Sequence, residues 1–325
     1  MFGNNSLDKI GLKRYIKKID LSKYIVYISF ILVFVSFSVL LPGKFMTATN
    51  LLNVLRQTAM ISVAAVGMTF AITAGQIDLS TGGVTACACL VAALVLQKHS
   101  IPAALAASLG VGLACGIVNG AILTKCRIPA FIVTLGTSSI YVGIARTLTN
   151  LEAVTVTNST FCRFFGSGDI WIIPTLFLWT IVLTCLGQYV YKKTSFGRKV
   201  LAVGGNELAA GYSGINVERV KFYSMIICAL SAASAGILYT GRMQGARYTY
   251  GENDSMNIIA AVVIGGTSFS GGKGTVFGTL LGSLVIGMLN NGLLLMGLST
   301  NEQMIARGIV IVLAVALSLR EKKSV

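Results

Sequence analysis

The sequence predicts an all-α integral membrane protein of about ten transmembrane helices. Three observations carry that expectation. The 325 residues are 54% hydrophobic and 11% charged, whereas soluble domains carry about 25% charged residues. Mostly apolar runs recur along the chain at about 17 residues or more, enough to cross a hydrocarbon core. The basic residues gather in alternate connections between those runs, the bias that orients membrane helices. A net charge of +15 would point to nucleic acid in a soluble chain; here it belongs to topology.

Taken in order, residues 1–23 form a basic, amphipathic cytoplasmic segment with Lys9, Lys13, Arg14, Lys17, Lys18 and Lys23. The run from Tyr24 to Leu41 exceeds the apolar core of a signal peptide, and no small-residue cleavage site follows, so it reads as a retained first span. Further spans are expected near 58–75, 82–97, 101–123, 129–148, 170–190, 220–240, 256–270, 276–297 and 303–319. Residues 24–320 then make one transmembrane domain and 321–325 a cytoplasmic tail. With the N-terminus inside, the larger share of the 26 basic residues faces the cytoplasm, so both termini are expected there. Outside, only 149–169 is sizeable. Recognition of an external cargo is therefore expected to belong to another protein.

The longest polar stretch between spans is the cytoplasmic loop 192–220, with Lys192, Lys193, Arg198, Lys199 and Arg219. In its middle, Gly204-Gly205-Asn206-Glu207 reads as a helix start: flexible glycines, a capping Asn and an acid where the helix dipole favours it. Gly214 stops that helix after about two turns. Leu208, Tyr212 and Ile215 are expected on one side of it, with Ala210 and Ser213 completing the rod. A helix so short is marginal alone in water. It reads as a plug into a separate motor protein.

Segments 64–83 and 260–278 look weakly alike. Each is an apolar half-span that runs into a Gly/Ser/Thr break and then a second helix. A five-span offset would make them an inverted repeat, and broken helices at membrane depth face protein or a water-lined cavity. Ser108, Gly112, Gly116 and Gly120 form a flat stripe, read either as an intramolecular packing face or as a dimer seam. Asp78 is a carboxylate between spans and outside both surface loops. Three readings stay open for it: with Ser80 it caps the third span, it contacts cargo, or it couples protons. Asn119, Asn290 and Asn291 sit within spans, where amides either glue helices together or line a wet path. Thr69, Thr73, Thr134, Thr137, Ser138 and Ser139 add neutral hydroxyls, which suit an uncharged polyhydroxy solute better than an ion.

Other chemistries find little material. The seven cysteines lie mainly in apolar runs without metal-ligand spacing, and His99 is the single histidine. Around Gly272-Lys273 the phosphate-loop pattern fails, with Thr267 at the first Gly position and Gly274 at the hydroxyl position. No nucleophile–base pair stands out. The chain is expected to be no enzyme and to bind neither metal nor cofactor.

Several stretches together carry a family resemblance. They are Gly67-Met68-Thr69 with Ile77-Asp78-Leu79-Ser80; Gly204-Gly205-Asn206-Glu207 with Ser213-Gly214-Ile215-Asn216; Ala260 to Ser268 (AAVVIGGTS) with Gly271-Gly272-Lys273-Gly274; and Asn290-Asn291-Gly292-Leu293. In this order, across roughly residues 45 to 320, the chain resembles the permeases of ATP-binding-cassette monosaccharide importers, the ribose/galactose/xylose group. It departs at Gln76, where that family commonly has Gly, and at 149–169, which does not align. The resemblance implies a type II importer-like permease of the bacterial plasma (inner) membrane that works with a second permease copy, identical or sister. It further implies a cytoplasmic ATPase with two cassettes that binds ATP and magnesium, and an extracytoplasmic sugar-binding protein. The 204–214 helix would be the coupling helix, and transport would proceed by alternating access. The residues also leave open a self-contained secondary transporter of a small polar solute, with Asp78 as the coupling carboxylate.

Overall fold

Backbone inside lipid must satisfy its own hydrogen bonds, and this chain does so almost wholly with helices. The computed structural model describes residues 25–299, 301–306 and 308–309. The basic segment 1–23, most of the expected tenth span and the tail 321–325 lie outside the described residues.

The helices are α1 (Ile25–Leu40), α2 (Ala48–Thr73), α3 (Thr81–Leu96), α4 (Ile101–Lys125), α5 (Ala130–Leu148), the single turn α6 (Ser159–Cys162), α7 (Thr175–Lys193), α8 (Ser195–Gly205), α9 (Glu207–Tyr212), α10 (Val217–Met243), α11 (Ser255–Ile264) and α12 (Val276–Leu295). Among the described residues, α2, α4, α5, α10 and α12 are long and apolar enough to cross a membrane. Helices α1, α3 and α11 are apolar but shorter. Among the described residues there are also four two-residue strands: β1 (Val154–Thr155) pairs antiparallel with β4 (Gly245–Ala246), and β2 (Asp169–Ile170) with β3 (Ile173–Pro174).

Several boundaries differ from the sequence expectation for local reasons. Helix α2 starts at Ala48, well before 58, because Thr47 caps it by accepting from the Asn50 amide. Helix α7 starts at Thr175, after the β2–β3 hairpin has used Asp169 to Pro174. Helix α11 stops at Ile264, because Gly265 and Gly266 turn the chain and Gly266 takes φ +86°. The stretch 149–169 folds back onto the body: β1 joins β4, and the Phe165 ring stacks on Trp179 of α7 at 5.2 Å between centroids.

Small residues decide how the helices pack. Helix α10 lies against α4, α2 and α3. The α4 stripe meets it inside the chain: a Cβ at Gly112 would lie 2.6 Å from Ala233 Cβ, and one at Gly116 would lie 2.7 Å from Ile226 Cα. Ser108 Oγ donates to the Ala88 carbonyl of α3. The stripe is thus an intramolecular face, which resolves the choice left open by the sequence. Helices α2 and α12 run antiparallel along a polar seam. Asn50 and Asn291 exchange amide hydrogen bonds at 3.0 and 2.9 Å, Ser62 meets Ser283 at 2.6 Å, and Thr69 meets Thr279 at 2.8 Å. Side-chain bonds of this kind supply specificity between helices where lipid removes most of the hydrophobic drive.

The stripe yields a direct expectation. Gly116→Leu forces α4 and α10 apart and costs about 1–3 kcal/mol, read as an earlier thermal unfolding of the purified chain in detergent. Gly110→Leu, at a position with open space around it, leaves the transition unchanged. Equal behaviour of the two variants would contradict the packing described.

Candidate functional site

The short rod expected at 204–214 exists, with its parts distributed differently. Helix α8 starts at Thr194, whose Oγ1 accepts from the Gly197 amide at 3.3 Å, and it ends at Gly205. Asn206 is at once the end of α8 and the cap of α9, accepting from the Ala209 amide at 3.0 Å through Oδ1. Gly214 closes α9 with φ +80°. The two glycines read as a lead-in are therefore the last turn of the preceding helix. Leu208 and Tyr212 are 73% and 91% exposed. Ile215 instead packs inward with Ala210, Val203 and Val220, since the turn at Gly214 reverses its direction. Glu207 pairs with Lys221 at 2.7 Å. Lys192, Lys193, Arg198, Lys199 and Arg219 are all exposed around the rod.

The base of the rod touches both helix breaks. Thr73 is the last residue of α2, and Gly272 lies in the turn between α11 and α12. The Gly272 amide donates to the Thr73 carbonyl at 2.9 Å. A Cβ at Gly204 would collide with that same carbonyl oxygen and lie 2.6 Å from the Gly272 nitrogen. Only a glycine lets α8 approach so closely. Gly271 and Gly272 take φ of +80° and +76°, a conformation open chiefly to glycine. Tyr191 of α7 closes the junction, its hydroxyl 3.1 Å from Thr73 Oγ1 and its ring edge-on to Phe70.

Beyond Thr73 the chain has no regular structure through 76–80 before α3 begins. Asp78 is fully buried there. Its Oδ1 accepts from the Ser80 amide at 2.8 Å and the Ser80 hydroxyl at 2.6 Å. Asn119 Nδ2 donates to Ser80 Oγ at 2.7 Å, and the Tyr141 hydroxyl donates to Asn119 Oδ1 at 3.0 Å. A buried polar line thus joins the break to α4 and α5. Ser80 makes no capping bond to the first turn of α3, and Asp78 serves the Ser80 amide just ahead of it. The second carboxylate oxygen of Asp78 has no hydroxyl or amide partner, and the Cys228 thiol of α10 lies beside it.

The start of α3 meets the start of α11. Ser255 Oγ donates to the Leu79 carbonyl at 3.1 Å and accepts from the Gly82 amide at 3.0 Å and Thr81 Oγ1 at 3.1 Å. Thr85 of α3 reaches the Ala232 carbonyl, midway along α10. Two short apolar helices therefore begin side by side, level with the middle of α10, as in carriers whose discontinuous helices frame a central site. Sequence reasoning missed Ser255, although a Ser ahead of the apolar run MNIIAAVVI is an N-terminus signal. It also missed Asn50, Tyr141 and Tyr191, which act through partners far away in sequence.

The remaining candidates separate. Thr69 and Asn291 bond across the α2·α12 seam, Thr73 bonds to Tyr191, and Thr134 Oγ1 donates to the Ile77 carbonyl. Asn290 Oδ1 is buried without a hydrogen-bond partner. Among the described residues no group of three or more His, Cys, Asp and Glu is placed to hold a metal ion.

The chain is similar to known transport proteins. Residues 50–315 match the family described as branched-chain amino acid transport system / permease component. The chain is 38% identical to the ribose import permease protein of Escherichia coli (strain K12), over 95% of this chain and 98% of that one. It is 40% identical to the ribose import permease protein of Bacillus subtilis (strain 168), over 90% and 91%. It is 33% identical to the D-allose transport system permease protein of E. coli (strain K12), over 91% of each. No solved structure matches the chain.

Two neighbouring glycines test the junction. Gly204→Ala drives a methyl into the Thr73 carbonyl and costs about 1–3 kcal/mol, seen as a lower melting temperature in detergent. At Gly205 a Cβ meets only Gly272 Cα, at 4.0 Å. Gly205→Ala is therefore neutral or stabilising by up to about 1 kcal/mol through helix propensity. The reverse ranking would contradict the junction.

Proposed function

The chain belongs to the branched-chain amino acid transport system / permease component family, and from that premise we propose that it is the membrane-spanning permease of an ATP-driven importer for a monosaccharide, a ribose-like pentose or a hexose, delivered by a substrate-binding protein. It is a transport subunit, not an enzyme. The energy comes from a partner ATPase with two cassettes, which holds the ATP and magnesium. The finer architecture of this reading is a type II importer-like permease of ten spans, with helix breaks α2/α3 and α11/α12 related as an inverted repeat. It works in the bacterial plasma membrane beside a second permease, identical or sister, with both termini in the cytoplasm.

One observation carries the reading. Helix α9 exposes Leu208 and Tyr212 inside a basic rim, while α8, which leads directly into it, reaches both helix breaks through Gly204, Thr73 and Gly272. An apolar tip of that size fits a hydrophobic groove on a partner. Gly204, Gly205, Asn206, Glu207, Leu208, Ala210, Tyr212, Ser213 and Gly214 form the coupling element. Nucleotide-driven closure of the ATPase draws the α9 rods of two permeases together and moves both breaks with them. Asp78, Ser80 and Asn119 hold the α2/α3 break beside the path, Asn290 faces it, and Thr69 and Asn291 keep the α2·α12 seam.

A second reading has one observation in its favour, the unpaired oxygen of buried Asp78, which suits a proton-coupled carrier working alone. Purified chain in liposomes separates the two. Labelled monosaccharide enters only when ATPase, binding protein and ATP are supplied, and Asp78→Asn leaves the pH dependence of that uptake unchanged. Uptake by the chain alone, driven by a proton gradient and lost in Asp78→Asn, would favour the carrier. In the same assembly Glu207→Arg exchanges a partly exposed ion pair for a like-charge contact with Lys221, a cost of about 1 kcal/mol. The variant inserts and folds, yet hydrolysis no longer drives uptake. Normal uptake by Glu207→Arg would count against the coupling role of α9.

A further inference from the structure

A cavity of about 420 Å³ opens between the C-terminal half of α5 and the turn that precedes α11. Its volume falls within the range of small-ligand sites, about 300–1,000 Å³. It sits at the level where the half-helices begin. A Cβ at Gly83 of α3 would lie 3.1 Å from the Ser138 carbonyl on one side of it, and one at Gly82 would lie 2.5 Å from the Glu252 carbonyl on the other. Its polar lining is Ser138, Ser139, Arg146, Glu252 and Asn253, with Val142 and Gly143 as a small apolar wall.

The polar groups are arranged for a neutral ligand. Arg146 and Glu252 pair at 2.7 Å, with side chains 49% and 19% exposed, so the cavity carries both charges already balanced. The Arg146 guanidinium also lies 5.2 Å from the centre of the Tyr248 ring, which fixes its plane. The hydroxyls of Ser138 and Ser139 and the carboxamide of Asn253 make no hydrogen bond to any described residue. Arg146 sits in the last turn of α5, and a cluster of unmatched polar groups facing hydrocarbon would be costly, which favours a wetted face here. An ion would meet an opposed pair with no net charge to hold it. A molecule bearing several hydroxyls finds carboxylate and amide oxygens to accept its protons, and guanidinium, serine and amide groups to donate to its oxygens.

We infer that this cavity is the cargo-contacting site of the permease, where a monosaccharide rests between release from its delivery protein and exit on the α9 side. The inference rests on the importer reading above, and the experiment keeps the two apart. In liposomes holding the permease with its ATPase and binding protein, wild-type uptake of labelled D-ribose, D-xylose, D-allose and D-galactose tests the importer reading. Uptake of none of them sinks that reading and this inference with it. Given wild-type uptake, Ser139→Trp fills the cavity and lowers uptake of the transported sugar by about tenfold or more, while stimulated ATP hydrolysis stays within twofold. Asn253→Ala lowers uptake by about 2- to 10-fold, the value of one net hydrogen bond. Unchanged uptake by Ser139→Trp would overturn the site and leave the importer reading standing.

A second measurement stands apart from the folding of the tryptophan variant. In a chain whose exposed Cys126 and Cys185 are serine, Ser139→Cys reacts with a hydrophilic thiol reagent, and the transported sugar slows that reaction several-fold. Labelling slowed by none of the four sugars, or equally by sodium chloride, would overturn the assignment.

Discussion

A hydrogen bond of 2.9 Å from the Gly272 amide to the Thr73 carbonyl ties together parts of the chain that are far apart in sequence. The last carbonyls of any helix lack an internal partner, and at the end of α2 one of them is met by the turn between α11 and α12. Gly204 of α8 lies against the same carbonyl with no side chain between. Three backbones share one point, and only glycines allow it. Because nothing flexible separates them, a displacement of α8 has no soft side chain in which to dissipate.

The same constraint explains why both long apolar elements break where they do. Non-helical backbone at depth survives only if its polar groups are matched. At 76–80 the matching comes from Asp78 and Ser80 and from Thr134 on α5; where α3 and α11 begin it comes from Ser255. These groups fix the angles between half-helices, and the polar α2·α12 seam fixes the frame around them. The cavity beside α5 borders the place where α3 and α11 begin. Its contacts depend on how far the two half-helix starts are held apart, so a motion at the junction reaches it through rigid pieces.

Much of this was legible in sequence because it is written locally. The cap at Asn206, the stop at Gly214 and the small-residue stripe of α4 appear where local pattern places them. What could not be read depends on distant partners. Gly204 looks like any helix-entry glycine until Thr73 and Gly272 are seen beside it. Ile215 seemed to share a face with Leu208 and Tyr212 because helical spacing was carried past the point where Gly214 turns the chain. Of the readings open for Asp78, the structure shows its bonds to the amide and hydroxyl of Ser80, while the reach onward to Asn119 and Tyr141 crosses two helices and has no local signal. The fold of 149–169 depends on β4, some 90 residues later.

The central claim is that α9 and the two helix breaks move as one body. Spin labels at Ser213→Cys and Lys273→Cys, on the rod and on the α11–α12 turn, measure it in the assembled importer by pulsed dipolar spectroscopy. On nucleotide binding the distance between the Ser213 labels of the two permeases shortens, while the distance from Ser213 to Lys273 within one chain stays fixed. A change in the second distance that accompanies the first would mean that the rod slides over the junction without moving the breaks, and the account would fail.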